Sequence, residues 1–412
     1  MDPTSRWLAI AQGLLLQPTA ACKEECPAAF VRHFAEERSA LAFSADPSGN
    51  LLVKYGGSHG QSAAQKDARQ PARATPLVFV AHMDHPGFWI EKATGRGGAG
   101  VPAGHVELTF KGWVGKGHTH RGEWVEFFAP GKPCAVGAGE LVSIREEKGR
   151  LVGARAKIKS GVAPEGGFAM WAFPAFSIEK CNGGAGLRAG KIVARGCDDQ
   201  LGCATMLCLL DELARRKPKG VQVWALFTRA EEVGFFGTLE AIRHKVLPKN
   251  ALVISIETSK AGPIAAQGDG VVVRVGDKAS IFDPGLTAAL CQAAASAAKK
   301  IPGFKFQRKL MDGGTCEATA YCSFGWRASG LAMPLGNYHN QAEANGKLSI
   351  GPENIAVDDF RSTVQLLVEL ALHPEMLKPG QSQLPAWMKE RGKAAREALT
   401  GSGEVRRPKR EI

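Results

Sequence analysis

The sequence lacks the features that would assign it to a membrane or to a disulfide-bonded scaffold. No apolar run approaches the roughly 20 residues that a membrane span needs, so we expect no membrane partner. The ten cysteines form no CxxC pair, and several of them, such as Cys203, Cys208 and Cys291, lie within apolar runs. Buried, reduced thiols are typical of cytosolic proteins. These absences favour a globular protein of the cytoplasm.

The two ends of the chain also lack targeting and nucleic-acid signals. The segment Met1–Arg6 has one acidic and one basic residue, so it is without the positive region of a secretory leader. The net charge is +12, but much of the excess lies in Lys389–Arg410, and a short basic tail is more often a disordered end than a binding module. With no zinc-finger spacing and no RNA-binding aromatic motif, we expect no nucleic-acid partner.

Strands and helices alternate through most of the chain. Pro76–Ala81, Val221–Phe227 and Ala251–Ile256 are apolar runs of strand length, whereas Leu201–Leu213 and Leu286–Ala298 have apolar residues at helical spacing. Such alternation is typical of an α/β fold whose sheet is largely parallel. The sequence therefore predicts an α/β domain.

A segment from about residue 91 to residue 190 interrupts this alternation. It is rich in glycine and has short alternating runs such as His105–Phe110 and Trp124–Phe128, which indicate a small inserted β domain. The predicted division assigns residues 1–90 and 191–385 to the two parts of the α/β domain, 91–190 to the inserted β domain and 386–412 to a basic, disordered tail.

Side chains of the types that bind metal ions lie at the ends of the predicted strands or in loops. They are His82 and Asp84 after the first strand, Asp198 at the start of a helix, Glu231 and Glu232 after the second strand, Glu257 at the end of the third, and His339 in a glycine-containing loop. Open α/β sheets place their sites at the carboxyl ends of the strands. We therefore predict that these residues form one site.

The residue types suit a hydrolase with two metal ions. Carboxylates and imidazoles bind zinc-type ions, and ions roughly 3.5–4 Å apart, held by a bridging carboxylate, can share a hydroxide and polarise a carbonyl. Asp84 can orient His82, because residues i and i+2 of an extended chain point to the same side. The adjacent Glu231 and Glu232 can supply one ligand and one general base. Singly, each motif is an ordinary loop or helix cap; their joint occurrence in this order is specific.

Several short motifs also occur in a fixed order along the chain. They are Val80-Ala-His-Met-Asp84, Asp198-Asp-Gln-Leu-Gly202, Phe227-Thr-Arg-Ala-Glu-Glu-Val-Gly234, Ser255-Ile-Glu257, Gly313-Gly-Thr315 and Tyr338-His339. Together they resemble the signatures of the glutamyl aminopeptidase and tetrahedral aminopeptidase family of cocatalytic metallopeptidases, within the wider zinc exopeptidase clan. The resemblance covers nearly the whole chain except the C-terminal tail.

The resemblance implies a three-layer α/β/α catalytic domain, with a mixed, largely parallel sheet and an inserted barrel-like β domain that mediates homo-oligomer contacts. It implies two divalent metal ions per subunit, zinc first and cobalt or manganese as alternatives. His82, Asp198 and Glu257 would bind one ion, and Asp198, Glu232 and His339 the other. Glu231 would be the general base and Asp84 would orient His82. The implied activity is removal of the N-terminal residue from short peptides.

The chain departs from the family pattern at positions that bear on substrate choice. His85 stands where the family usually has Glu, Glu257 where it usually has Asp, and Gly314-Thr315-Cys316-Glu317 where it usually has Gly-Thr-Asp-Ala. These changes keep open a metal-dependent deacylase or amidohydrolase of N-acylated small molecules. A non-catalytic binding protein on the same fold is a less favoured alternative, because the ligand set is complete.

Overall fold

The computed structural model describes residues 2–56, 75–94, 104–180, 190–377 and 384–400 of the chain. The α-helices are α1 Pro3–Leu15, α2 Glu25–Glu36, α3 Gln200–Arg216, α4 Phe236–Arg243, α5 Pro284–Lys300, α6 Glu317–Ser323, α7 Val357–Leu372 and α8 Leu384–Thr400. Short 3-10 helices span Tyr338–Asn340 and Pro374–Leu377.

The strands fall into two large groups and one hairpin. The first group is β1 Leu41–Ala45, β2 Leu51–Tyr55, β3 Leu77–His82, β10 Ser177–Glu179, β11 Lys191–Ala194, β12 Val223–Thr228, β13 Leu252–Lys260, β14 Val271–Asp277, β15 Phe306–Met311, β16 Arg327–Gly336 and β19 Glu353–Ala356. The second is β4 Gly87–Thr94, β5 His105–Lys111, β6 Trp124–Phe128, β7 Gly137–Glu147, β8 Arg150–Gly161 and β9 Phe168–Trp171. The hairpin is β17 Gln341–Ala344 with β18 Lys347–Ile350.

Helix starts follow from local capping chemistry. The Asp2 carboxylate accepts a hydrogen bond from the amide of Thr4 at 2.9 Å, and Pro3 opens α1. The Asp283 carboxylate likewise accepts from the amide of Leu286 at 2.6 Å, and Pro284 opens α5. A capping carboxylate satisfies an amide that the helix leaves without a partner, and proline has no amide to lose at the first position.

The first group of strands forms one sheet of 11 strands within the described residues, in the order β1-β2-β12-β3-β13-β16-β19-β11-β10, with β14 beside β16 and β15 beside β14. Its centre is parallel, because β12 pairs with β3, β3 with β13 and β13 with β16 in the same direction. All six residues of β3 are buried, as expected for a strand covered on both faces.

Helices cover both faces of this sheet. On one face, α3, α5 and α7 pack through residues such as Leu207, Leu290 and Leu367. On the other face, α4 and α6 contribute Ala241 and Tyr321 to a separate apolar cluster. The predicted three-layer α/β/α class with a mixed, largely parallel sheet is confirmed.

The second group of strands closes into a barrel in the order β4-β5-β8-β7-β6-β9. Strand β5 alternates buried and half-buried residues, and Phe88, Phe127 and Trp171 fill the interior. The barrel begins at Gly87 and ends at Trp171, whereas β10 and β11 join the large sheet. The barrel therefore starts earlier and ends earlier than the segment 91–190 in which the sequence predicts a β domain, because pairing, rather than composition, sets the boundary.

The C-terminal region differs from the sequence expectation of a disordered tail from residue 386. Helix α8 runs from Leu384 to Thr400, over a stretch rich in alanine, lysine, arginine and glutamate, which favour helix. The basic cluster near residue 410 lies outside the described residues. Among the described helices, none is long and apolar enough to cross a membrane.

Candidate metal centre

The topology brings the predicted site residues to one edge of the large sheet. Strands β3, β12, β13 and β16 run parallel, so their carboxyl ends lie together. Strand β11 is antiparallel to β19, and β19 is antiparallel to β16, so the end of β11 reaches the same edge. His82, Glu231, Glu257, His339 and Asp198 therefore converge from five separate strands.

Most of these residues line a single cavity of about 290 Å³. Its walls include His82, Asp198, Glu231, Glu232, Glu257 and His339. Glu257 lies inside β13 instead of ending the strand as predicted, because β13 continues pairing with β16 as far as Lys260. The remainder of the wall comes from the stretch Thr258–Ile264, Arg274, Tyr338 and the loop Leu310–Thr315.

Asp198 lies between the two histidines. Its Oδ1 atom is 3.5 Å from Nε2 of His82, and its Oδ2 atom is 3.5 Å from Nε2 of His339. Each carboxylate oxygen thus faces a different imidazole. A carboxylate placed in this way can bridge two cations, each of which also takes one histidine.

The other carboxylates surround the same two histidines. Nε2 of His82 is 3.7 Å from Oε2 of Glu231 and 3.9 Å from Oε2 of Glu257. Nε2 of His339 is 3.2 Å from Oε1 of Glu232. The adjacent residues Glu231 and Glu232 therefore face different histidines, although one loop carries both.

This concentration of buried groups shifts the pKa values of Glu257, Glu231 and His82. Burial raises the pKa of Glu257 to about 8, although His82 and Arg274 act to lower it. Burial also raises the pKa of Glu231 well above its ordinary value. For His82, burial would lower the pKa, but the surrounding carboxylates, Glu231 first, outweigh it and raise the pKa well above 6.5. The cluster thus has an excess of negative charge that a bound cation would neutralise.

The donor set fits divalent metal ions. Within the part of the chain that the structure describes, Oδ1 of Asp198 and Oε1 of Glu232 are buried and have no hydrogen-bond partner. Among the residues that the structure describes, two groups have potential ligand atoms within 4.8 Å of one another, namely His82, Asp199 and Glu257, and His82, Asp198 and Glu232. Buried carboxylates without hydrogen bonds are costly unless they coordinate a cation, so this site is suited to hold metal.

Neighbouring groups orient the predicted ligands. Nδ1 of His82 lies 3.2 Å from the backbone carbonyl of Asp84 and 3.4 Å from its carboxylate Oδ1, so the His-x-Asp spacing brings the two residues into contact. Nδ1 of His339 lies 2.7 Å from the carbonyl of Trp113, in the barrel loop between β5 and β6. Hydrogen bonds of this kind to the remote nitrogen fix the tautomer and ring orientation of a metal-binding histidine.

Two further residues of the site were missed at the sequence level. Asp199 occupies the N-cap position of α3, yet its side chain makes no capping hydrogen bond and lies near His82 and Glu257 instead. Glu353 is buried, and its carboxylate accepts from the amides of Asp198 at 3.0 Å and of His339 at 2.8 Å. The adjacency of Asp198 and Asp199 was visible in the sequence. No motif marks Glu353, because its partner Asp198 is 155 residues away along the chain and His339 lies in a separate loop.

Three of the residues that depart from the family pattern lie just behind the site, whereas the fourth, Glu257, lines it. His85 is buried, with Nδ1 2.7 Å from the carbonyl of Asp198 and Nε2 3.0 Å from Oδ1 of Asn340. Cys316 is buried, and its amide donates to Asp277. Glu317 is also buried and accepts hydrogen bonds from the hydroxyls of Thr228 and Thr238. These three side chains pack behind the residues of the cavity wall, and none of the three lines the cavity.

Comparisons with known proteins agree with these observations. Residues 184–350 match the family model described as M42 glutamyl aminopeptidase. A protein of Acetivibrio thermocellus, provisionally described as an aminopeptidase, is 24% identical over 194 residues, which cover 45% of this chain and 53% of the relative. The chain thus spans about half the length of that curated relative.

Solved structures share the fold at low sequence identity. An aminopeptidase from the archaeon Desulfurococcus kamchatkensis superposes with a TM-score of 0.68 at 16% identity, covering 92% of this chain and 98% of that one. The Pyrococcus horikoshii TET1 peptidase, which can assemble into a tetrahedron or a large octahedral shell, superposes with a TM-score of 0.63 at 18% identity, covering 89% and 99%. At these identities the likeness establishes the fold.

Proposed function

We propose that the protein is a metal-dependent aminopeptidase that removes N-terminal residues from short peptides, in keeping with the match of residues 184–350 to the M42 glutamyl aminopeptidase family model. The observation that carries the proposal is the position of Asp198, whose two carboxylate oxygens face His82 and His339 in a cavity that also contains Glu231. That arrangement suits two cations bridged by one carboxylate.

We assign the ligands accordingly. His82, Asp198 and Glu257 would hold one ion, and Asp198, Glu232 and His339 the other. Asp199 lies close enough to His82 and Glu257 to be an additional candidate for the first ion. We propose zinc, which suits carboxylate and imidazole ligands, with cobalt or manganese as alternatives. The bound ions supply positive charge that keeps the carboxylates ionised, polarises a peptide carbonyl and activates water.

Glu231 has the position of a general base. Its side chain is 12% exposed and lines the cavity, whereas its backbone is fixed by Asp84, whose Oδ1 accepts from the Glu231 amide at 2.9 Å. In the proposed reaction the Glu231 carboxylate takes a proton from the attacking water and passes it to the leaving amine, so that one group acts first as base and then as acid. The tetrahedral carbon loses the amine and leaves a free amino acid.

Substrate trials test the activity directly. Purified protein is expected to hydrolyse aminoacyl amides and short peptides with a free amino terminus, to lose this activity with a chelator and to regain it with zinc, cobalt or manganese. N-acylated amides form the matched set, because they keep the scissile bond and lack only the free amine. Chelator-sensitive cleavage of the acylated set alone would instead assign a deacylase, an alternative that the family match does not favour. Absence of chelator-sensitive activity on both sets would contradict the proposal.

We further propose that the protein is a homo-oligomer whose contacts involve the barrel. The TET1 peptidase of Pyrococcus horikoshii can assemble into a tetrahedron or a large octahedral shell, and this chain has the same fold. Light scattering coupled to size-exclusion chromatography is expected to give a mass that is a multiple of the monomer mass. A monomer mass at micromolar concentration would be incompatible with this assignment.

The cytoplasm remains the proposed location. The cysteines that the structure describes, among them Cys197, Cys203 and Cys208, are free thiols, in keeping with a reducing compartment.

A further inference from the structure

The loop that follows β12 carries both Glu231 and Glu232, and its backbone is unusual. Ala230, directly before them, has a φ of 51°, in the left-handed region that residues with a β-carbon disfavour. This conformation persists only where surrounding groups hold it. The direction of the two glutamate side chains depends on this turn, because they are the next two residues.

Four successive amides of this loop donate to side chains that lie outside it. The amides of Glu231 and Glu232 donate to Oδ1 and Oδ2 of Asp84 at 2.9 and 3.2 Å. The preceding amide of Ala230 donates to Oε1 of Glu24 at 3.0 Å. The amide of Arg229 donates to Oδ1 of Asn50 at 3.1 Å, a side chain that also comes from the N-terminal part of the chain.

Glu24 makes further contacts that lock this turn. Its Oε2 atom accepts from Nε of Arg229 at 2.7 Å, and its Oε1 atom also accepts from the amide of Cys22 at 2.7 Å. Nη1 of Arg229 in turn donates a hydrogen bond to the carbonyl of Ser48 at 3.0 Å. The Glu24 side chain is completely buried, and it does not line the cavity. A buried carboxylate needs such partners, and here two of them belong to the loop that carries the proposed base.

We propose that Glu24 is a positioning residue for the metal centre. By accepting from the Ala230 amide and pairing with Arg229, it holds the left-handed turn that directs Glu231 and Glu232 into the cavity. The inference rests on the proposed roles of those two glutamates. The N-terminal segment that carries Glu24 would then affect catalysis through the position of this turn, although it contributes no side chain to the cavity wall.

The test compares Glu24→Ala with Glu25→Ala, the neighbouring glutamate, which is exposed at the start of α2. For Glu24→Ala we expect kcat on a free-amine peptide to fall by about 10–100-fold with KM changed by less than about 3-fold, because the base is misplaced while the pocket is intact. The affinity of the apo protein for zinc, measured by calorimetric titration, should fall by about 10-fold, because Glu232 shifts too. Glu25→Ala should match the wild type in both readouts.

Hydrogen–deuterium exchange gives a readout that needs neither turnover nor metal. Peptides covering residues 229–232 should exchange faster in Glu24→Ala, and those covering β16 should not change. The conservative Glu24→Gln can satisfy either the Ala230 amide or Arg229 but not both, so we expect a kcat loss smaller than that of Glu24→Ala.

Unchanged kcat, zinc affinity and exchange in a folded Glu24→Ala protein would overturn the proposal, as would a lowered melting temperature as its sole effect. If Glu24→Ala does not fold, wild-type values of all three readouts in Glu24→Gln would overturn it. A wild-type protein without chelator-sensitive hydrolysis would contradict the proposed function separately, since the exchange comparison still reports on the loop.

Discussion

Replacing Glu231 by glutamine is expected to lower kcat by about 10²–10⁴-fold, the range that a positioned general base contributes, with no loss of bound metal. Glutamine has nearly the shape of glutamate but cannot take a proton at the pH of the reaction. The Asp84 carboxylate would still accept hydrogen bonds from the amides of residues 231 and 232. The loop should therefore keep its conformation, and KM should change little.

The adjacent Glu232 provides the comparison. Its Oε1 atom lies 3.2 Å from Nε2 of His339, so we assign it as a ligand. Glu232→Ala is expected to lose one metal ion per subunit, whereas Glu231→Gln keeps both, as measured by mass spectrometry of the metals in dialysed protein. Equal metal loss in the two variants would mean that the base and the ligand are assigned the wrong way round.

Replacing Asp198 by alanine is expected to remove both metal ions and to reduce kcat/KM by more than the roughly 10–100-fold that changes behind a metal site cost. The reason is geometric. The two oxygens of Asp198 face His82 and His339 separately, so one substitution removes a ligand from each proposed ion. His82 and His339 hold the pKa of Asp198 below its ordinary value despite the opposing effect of burial, which indicates that this carboxylate is ionised when it binds.

Asp199→Ala is the matched neighbour for this experiment. Asp199 is buried like Asp198, but it does not line the cavity, and burial raises its pKa well above the ordinary value. We expect Asp199→Ala to retain at least one ion and measurable activity. If Asp199→Ala loses both ions while Asp198→Ala keeps them, the bridging role belongs to Asp199. Circular dichroism of both variants checks that each is folded.

The cavity wall also contains residues that are not proposed ligands. Arg274 is buried and lines the cavity, where Nη1 is 3.4 Å from the hydroxyl of Ser259. The loop that carries the altered family motif contributes Gly313, Gly314 and Thr315 to the wall, but Cys316 and Glu317 are not among the lining residues. Apart from Glu257, the side chains that depart from the family pattern therefore lie behind the cavity wall and are not part of its surface.

The sequence by itself determined the fold class and the order in which the site residues occur along the chain. Apolar strand runs such as Leu77–His82 and the alternation of strand and helix are local patterns, and local patterns can be read without coordinates. Because carboxyl ends of parallel strands meet at one edge, it was enough to know that His82, Asp198 and Glu257 follow or end strands to expect that they meet. The motif resemblance then indicated the family whose model matches residues 184–350.

Only the tertiary structure decided what holds these residues in place. Glu24 and Glu353 accept hydrogen bonds from the amides of residues more than a hundred positions away. The carbonyl of Trp113, in a loop of the barrel, contacts Nδ1 of His339. The amide of Asp198 is part of the backbone, which has the same hydrogen-bonding groups at nearly every position. No local pattern in the sequence therefore distinguishes these partners, and long-range packing alone brings each acceptor to its donor.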